Sequence, residues 1–259
     1  MTSAPGLPRP VKAGLGVLLD RVVGEPPTPV HPVALFSRAM GITERGIYSD
    51  KRLAGAVHAA IGTALGAGGG ALVRSTTVAT EIAVGGGALP LAATDVASAL
   101  AEGDEVRARD LLPALVGRDR SGLDAAEIAR AAVESVAENT EDAVVAPALW
   151  AALAGAPGVL PGVLGYRAVN TMDAMVGHRS PRYSNHGWAS ARLDDLANWA
   201  PARCTAALVA LVRPRHPNEV RRAVSLQAQA HPSPNTGVAE AAFAAVLGLA
   251  GAVKWWRDR

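Results

Sequence analysis

Three carboxylates in the middle of the chain have the spacing of a ligand set. Glu134, Glu138 and Asp142 follow one another at i, i+4 and i+8, so a helix places them on one stripe. Like charges at this spacing repel by about 0.2–0.5 kcal/mol per exposed pair, and a bound divalent cation such as Mg²⁺ would reverse that penalty. The alternative is a solvated acidic face with Arg130 nearby. The position of the stripe beside an uncharged segment favours a site.

A second polar block follows downstream and supplies the complementary charges. The guanidinium groups of Arg179, Arg182 and Arg192 can bind phosphate or carboxylate oxygens through paired N–H donors. Asp194 and Asp195 follow in LDDLANW, where we expect a helix to start, with one carboxylate capping it and the other binding a metal ion or Arg192. The block therefore predicts recognition of an anionic substrate.

Further polar residues accompany the two blocks. Asn139 lies beside the carboxylate stripe, and Asn170 and Asp173 are i, i+3 partners upstream of His178, whose imidazole is of the type that carries protons in enzymes. For each of these residues alone, a structural role is as good an interpretation as a functional one. As a cluster they favour a functional site.

Two proline-framed turns contain the remaining candidates. GEPPTPVHPV includes His31, and HPSPNTG includes Asn235. Prolines hold such turns rigid, which suits a preorganised polar contact.

Two stretches without formal charge must position these residues. Residues 53–73 are long enough to cross a bilayer core of about 30 Å, and Gly62 and Gly66 repeat at the interval that lets helices approach closely. Residues 143–166 contain three prolines, which predict a kinked helix or a re-entrant helix pair. The pattern predicts an all-α fold, a polytopic membrane bundle with a polar site at one membrane face. The alternative is a buried helix in a soluble bundle.

The region before the second uncharged stretch has the pattern of soluble helices. Asp124 and Glu127 lie where acidic side chains stabilise a helix N-terminus, and Asp95 is predicted to open another helix. We found no internal repeat. The whole of residues 1–259 is interpreted as one domain, in which residues 1–10 form a loose segment.

Composition excludes several classes of protein. The net charge of +2 on 259 residues is too small to predict nucleic-acid binding, and the arginines are scattered. The single cysteine, Cys204, excludes an internal disulfide and a Cys-rich zinc site. The chain contains no Walker loop, GxGxxG, HExxH or GxSxG motif.

Four stretches, in this order, resemble the CobD/CbiB family of cobalamin biosynthesis, the adenosylcobinamide-phosphate synthases. They are LLDRVVGEPPTPVHPV, RDRSGLDAAEIARAAVESVAENTEDAVVAP, YRAVNTMDAMVGHRSPRYSNHGWASARLDDLANWAPAR and HPSPNTGVAEAAF. The resemblance implies a multi-pass protein of the cell membrane with a cytoplasmic active site. It also implies an acid–amine ligase that joins a carboxylate of (adenosyl)cobyric acid to aminopropanol or its O-phosphate, with ATP and Mg²⁺.

The resemblance also suggests roles for the polar residues. Metal binding is assigned to Glu134, Glu138, Asp142 and Asp194, and catalysis to Glu138, Asp173, His178 and Arg192. Substrate binding is assigned to His31, Asn139, Asn170, Arg179, Arg182, Tyr183, Trp188 and Asn235. The implied partners are the two small-molecule substrates, membrane lipid and other cobalamin-assembly enzymes.

Two alternatives stay open at this stage. Family members usually extend beyond the last similar stretch, so the C-terminus is short relative to the family. This favours, as one alternative, a corrinoid-binding or transport-related membrane protein that keeps the fold without ligating. The other alternative is a soluble helical metal-dependent enzyme.

Overall fold

The computed structural model describes residues 7–24, 26–27, 29–115, 122–153, 162–178 and 180–249. These residues form helices and connecting turns, with no strand among them, which confirms the all-α fold class. The helices group into two compact units. The first unit comprises Met1–Gly85 and Ala146–Ala197, and the second comprises Gly86–Val145 and Asn198–Arg259. The chain therefore passes twice from the first unit to the second.

The first unit contains the helices formed by most of the two uncharged stretches. Its elements are α1 (Arg9–Val23), α2 (Pro32–Ile47), α3 (Arg52–Leu72), α4 (Thr76–Ala83), α8 (Ala146–Leu153), α9 (Gly162–Met172), a π-helical turn (Asp173–Gly177) and α10 (Trp188–Ala197). Helix α1 begins at Arg9, inside the segment for which the sequence predicts a loose conformation.

Glycine allows α3 to pack closely inside this unit. A Cβ atom at Gly62 would overlap the Sδ atom of Met172 in α9, and one at Gly55 would overlap the carbonyl group of His186. The close approach that the glycine repeat predicts is therefore present. Leu53, Val57 and Leu65 of the same helix are exposed.

Membrane crossing is a separate question from helix formation. The first uncharged stretch is a helix over Arg52–Leu72, in agreement with the sequence. Over the ranges that the structure describes, no helix combines the length and the apolar character that crossing a membrane requires. The membrane-spanning fold therefore stays a prediction.

The second uncharged stretch forms a pair of helices. Helices α8 and α9 pack against each other, and the rings of Trp150 and Tyr166 stack with their centroids 6.4 Å apart. Residues 154–161, which include two of the three prolines, lie outside the described residues. Two packed helices agree with the predicted helix pair.

The second unit has its own alanine-rich core. Its elements are α5 (Leu89–Ala101), α6 (Glu105–Leu111), a 3₁₀ turn (Leu112–Ala114), α7 (Ala125–Thr140), a π-helical turn (Glu141–Val145), α11 (Trp199–Val212), α12 (Pro217–Gln227), a second 3₁₀ turn (Ala228–Ala230) and α13 (Thr236–Leu247). One cluster of buried side chains joins α5, α6 and α7, and another joins α11, α12 and α13.

Two helix starts predicted in this unit have different outcomes. Asp124 and Glu127 form a reciprocal capping box at the start of α7, which confirms that prediction. The prediction that Asp95 opens a helix is wrong, because α5 begins at Leu89 with Pro90 in its first turn. Proline is preorganised for a first helical turn, so it marks the start earlier than the aspartate does.

Candidate active site

The first unit holds a compact polar centre built from α2 and the loop before α10. We call it the Arg182 cluster and define it as Glu44, Tyr48, Arg182, Tyr183 and His186. Arg182 Nη2 lies 3.0 Å from Glu44 Oε1, and the Tyr183 hydroxyl donates a hydrogen bond of 2.9 Å to the same oxygen. One carboxylate oxygen thus accepts from two side chains that are close neighbours in sequence.

The Arg182 guanidinium is held in place but stays accessible. Its Cζ atom lies 4.3 Å from the ring centroid of Tyr48, and the Tyr48 hydroxyl donates to the Arg182 carbonyl at 2.9 Å. The side chain of Arg182 is 54% exposed, whereas that of Glu44 is 11% exposed. A fixed, exposed guanidinium keeps donors that can bind the oxygens of an anionic ligand.

Glu44 stays ionised because of its neighbours. Burial alone would raise the pKa of this carboxyl, but hydrogen bonds from Arg182 and Tyr183, with the positive charge of Arg182, outweigh burial and lower it. Burial, and then the hydrogen bond to Glu44, raise the pKa of Tyr183, so its hydroxyl keeps its proton and remains a donor. The cluster is therefore an ion pair with a neutral phenol attached.

The Glu44 interaction predicts a loss of stability in acid. A carboxyl whose folded-state pKa is lowered stabilises the fold fully above its ordinary pKa of 4.5, and that contribution is lost as the pH falls through the folded-state value. We therefore expect Glu44→Gln to lower the melting temperature near neutral pH. The difference from the unaltered protein should shrink as the pH drops below 4.5. Thermal unfolding followed by circular dichroism across this range measures it.

The control for this prediction is Glu102→Gln. Glu102 pairs with Arg107 at the surface, where its side chain is 60% exposed, so the exchange should leave the profile almost unchanged. A Glu44→Gln protein whose stability parallels that of the unaltered protein at every pH would show that the ion pair is not maintained.

A second buried histidine, His58, lies against His186 of the cluster. His58 and His186 are each 0% exposed, and their ring centroids are 5.4 Å apart. His58 Nε2 lies 3.2 Å from the Met40 carbonyl oxygen, and His186 Nδ1 lies 3.3 Å from that of Ser49. These contacts orient both rings, and His58 packs against the cluster through His186.

Two predicted residues lie at the edges of the cluster. His178 is exposed, and its ring packs edge-on against Tyr183 with the centroids 5.0 Å apart. The Trp188 indole donates to the Arg52 carbonyl at 2.8 Å, and the Arg52 guanidinium lies 5.8 Å from its ring centroid. The structure therefore brings His178 to the cluster and gives Trp188 a contact with α3.

A chain of polar contacts joins α9 to α10 in the same unit. Arg167 Nη1 donates to Asn170 Oδ1 at 3.2 Å, and Asn170 Nδ2 donates to Asp194 Oδ1 at 3.3 Å. Asp195 instead faces Arg192, with a separation of 3.5 Å between an exposed guanidinium and its carboxylate. Asp194 is thus directed to an amide, and Arg192 is paired with Asp195.

The predicted helix start at Asp194 and Asp195 is wrong. Helix α10 begins at Trp188, so both carboxylates lie in its second half. The tight turn around Gly187 precedes the helix, and Gly187 donates its N–H to the Tyr183 carbonyl. That turn, and not an acidic cap, sets the start of α10.

Asp173 opens the π-helical turn that ends α9. The turn runs from Asp173 to Gly177, and a Cβ atom at Gly177 would overlap the Asp173 carboxylate. π-Helical turns often occur at functional sites. The two candidates for proton transfer lie at the ends of this turn: Asp173 is its first residue, and His178 follows its last residue.

The carboxylate stripe belongs to the second unit. Glu134 is 4% exposed, Glu138 is exposed, and Asp142 lies in the π-helical turn after α7. Glu141 in the same turn is also buried, with 1% exposure. The turn changes the helical register, so Asp142 does not continue the stripe as a regular helix would place it.

The predicted metal site was assigned to four carboxylates, Glu134, Glu138, Asp142 and Asp194. In the part of the chain that the structure describes, no three His, Cys, Asp or Glu side chains are grouped to hold a metal ion. Mg²⁺ needs only one or two carboxylates when substrate phosphates supply the other oxygens. Metal binding by the predicted carboxylates therefore stays a prediction.

The remaining candidates have local contacts. Asn139 donates to the Ser135 carbonyl at 2.8 Å, and Asn235 accepts from Arg203 at 3.3 Å in the second unit. His31 caps α2 by accepting from the Val33 N–H at 3.2 Å. Arg179 lies outside the described residues.

Sequence reasoning missed several residues of the first unit. Glu44, Tyr48 and His58 come from α2, its C-terminal end and α3, more than a hundred residues before the block that they contact. Arg167 lies within the second block, but its sequence context resembles that of any helical arginine. A short-range pattern contains no signal for these contacts.

The described residues thus form a helical protein whose first unit presents a fixed, exposed guanidinium at Arg182. The comparisons make this more specific, because residues 13–252 match the family model described as CobD/Cbib protein. The chain therefore belongs to the CobD/CbiB family.

Relatives from distant bacteria support this assignment. Over 92% of the chain and 79% of the relative's length, it is 48% identical to a protein of Mycobacterium tuberculosis named Cobalamin biosynthesis protein CobD. Proteins of the same name from Geobacter metallireducens and Pelobacter propionicus are 40% and 37% identical, over 90% and 93% of the chain and 78% and 80% of their own lengths. No solved structure matches the chain.

Proposed function

We propose that this protein acts in cobalamin biosynthesis as an acid–amine ligase that makes (adenosyl)cobinamide or its phosphate. The substrates are (adenosyl)cobyric acid and aminopropanol or its O-phosphate. The observation that carries the proposal is the family match over residues 13–252, which includes both polar blocks. The Arg182 cluster supports it, because every substrate named here except free aminopropanol carries anionic oxygens.

The proposed reaction needs activation of the carboxylate. A carboxylate oxygen of cobyric acid attacks the γ-phosphorus of Mg²⁺–ATP, and ADP leaves. The amine nitrogen then attacks the acyl carbon, the acyl carbon–oxygen bond breaks, and inorganic phosphate leaves. The nitrogen loses a proton, and the amide remains. Each step places negative charge on oxygens that fixed cationic donors can stabilise.

Residues of the first unit have separate roles in this proposal. Arg182 binds phosphate or carboxylate oxygens, and Glu44 and Tyr48 hold its guanidinium in one orientation. His178 or Asp173 accepts the proton of the attacking amine, because they flank the π-helical turn next to the cluster. Arg179 and Arg192 add positive charge in the same block.

In the second unit, Glu138 is the carboxylate best placed to meet a metal ion that arrives with ATP. It is exposed, unlike Glu134 one turn before it. We expect Glu138→Gln to reduce cobinamide formation by about tenfold or more and to raise the Mg²⁺ concentration needed for half-maximal rate. Product formation titrated with Mg²⁺ and followed by chromatography measures both effects.

The control for Glu138 is again Glu102→Gln, a surface exchange in the same unit. Near-normal turnover and an unchanged Mg²⁺ requirement in Glu138→Gln would remove Glu138 from the metal role. They would leave the anion-binding role of Arg182 untouched.

Attachment to the cell membrane stays a prediction and has a direct test. The exposed Leu53, Val57 and Leu65 support it, because they form an apolar stripe along α3. Recovery of the protein in the membrane fraction, with release only by detergent, is the expected result. Recovery without detergent would favour a soluble enzyme.

Complementation tests the proposed function in cells. A strain blocked at this step and carrying the gene for this chain should make cobalamin when it is supplied with cobyric acid. If growth needs cobinamide, the protein does not make it. Corrinoid binding without product would then favour the non-catalytic alternative.

A further inference from the structure

A cavity in the first unit has the composition of a small-ligand site. Its volume is about 180 Å³, and its walls come from α2, α3, α4 and α9. Apolar side chains such as Val33, Phe36, Leu65 and Leu164 line it, and among the described residues Arg167 is the one charged side chain in its wall. Cavities that bind drug-sized ligands usually measure about 300–1,000 Å³, so this one suits a smaller molecule.

In the part of the chain that the structure describes, the Arg167 guanidinium at this cavity forms no ion pair with a carboxylate. Its Nε atom is buried and has no hydrogen-bond partner in the described part of the chain. Its Nη1 atom donates to the neutral amide of Asn170, which donates in turn to Asp194. The relay orients the half-buried guanidinium, and an anionic ligand in the cavity would give the buried Nε–H an acceptor.

We propose that this cavity, which we call the Arg167 pocket, binds a short aliphatic phosphate monoester, with the phosphate on Arg167 and the carbon chain against the apolar walls. This inference rests on the proposed function, in which the phosphorylated amino alcohol is such a molecule. The pocket is too small for a corrinoid ring, so it assigns a separate subsite to the amine. His31 lies beside it, because His31 caps α2 at Val33, which lines the pocket.

Two neighbouring glycines of α3 provide a matched pair of variants. Gly69 lines the pocket, and a Cβ atom there would meet nothing within 4 Å, so the backbone accepts a side chain and we expect Gly69→Leu to occupy the pocket. Gly68 also has nothing within 4 Å, is exposed and does not line the pocket. Gly68→Leu therefore makes the same chemical change in the same helix without blocking the pocket.

Calorimetry on the full chain, without nucleotide or corrinoid, tests the proposal with three probes: aminopropanol O-phosphate, aminopropanol and inorganic phosphate. We expect the phosphate ester to bind most tightly, and its affinity to fall about 10- to 100-fold in Arg167→Gln and in Gly69→Leu. Gly68→Leu should bind like the unaltered protein. Thermal unfolding of each variant checks that it is folded.

Three outcomes would overturn the proposal. They are equal affinity of Gly69→Leu and Gly68→Leu, equal affinity of the ester and inorganic phosphate, and equal affinity of the ester and the free amino alcohol. The proposed function fails in a different assay. If the protein discriminates the three probes but makes no cobinamide, the proposed pocket is supported and the proposed ligase activity is refuted. If both leucine variants make cobinamide with the same KM for the amine, the proposed ligase activity is supported and the proposed pocket is refuted.

Discussion

Replacing Arg182 with lysine is expected to lower the rate of cobinamide formation about 100-fold, with little change in melting temperature. The exchange keeps the positive charge beside Glu44, so the buried carboxylate is not left unpaired. It removes the planar guanidinium that stacks on Tyr48 and offers paired donors to an anion. Steady-state rates with each substrate varied in turn show which of them Arg182 contacts.

Arg222→Lys is the control for this experiment. Arg222 is exposed on α12 in the second unit, and we assign it no role in the site. If Arg182→Lys has the rate of the Arg222→Lys control, then the Arg182 cluster is structural, and the anion must bind elsewhere.

Replacing Gly55 with alanine is expected to destabilise the protein by about 1–3 kcal/mol, near the upper end of that range. The added methyl group would overlap the carbonyl group of His186, and backbone cannot move aside as a flexible side chain can. Because His186 lies within the Arg182 cluster, the displacement should also reduce activity. Chemical denaturation measures the free energy of unfolding.

Gly68→Ala separates this effect from helix propensity. Gly68 lies in the same helix with nothing within 4 Å of a Cβ atom, so alanine there should stabilise the helix by about 0.5–1 kcal/mol. Equal stability of the two alanine variants would show that α3 does not pack against His186 as closely as described here.

Sequence patterns predicted a helix correctly where the residues that define it are close together in the chain. The uncharged stretch at residues 53–73 predicted α3, and the acidic residues Asp124 and Glu127 predicted the start of α7. Asp95 and Asp194 look like helix starts in sequence but lie inside helices, because Pro90 and the turn at Gly187 set the true starts. An acidic residue alone is a weak signal when a stronger one precedes it.

The candidate site could be predicted only in part, because its contacts are long-range. Arg182 and Tyr183 were predicted as site residues from their charged block, but Glu44 is separated from them by more than a hundred residues. Nothing around Glu44 distinguishes it from a surface glutamate of an amphipathic helix. The difference between Glu134 and Glu138 also needed the structure, because residues four apart on a helix are expected to have similar exposure.

The proposed ligase activity is tested most directly by a reaction of the purified chain with cobyric acid, aminopropanol O-phosphate and Mg²⁺–ATP, followed by mass spectrometry. We expect cobinamide phosphate as the product, with one ADP and one inorganic phosphate released per amide formed. Corrinoid that is bound but returned unchanged, with ATP intact, would contradict it.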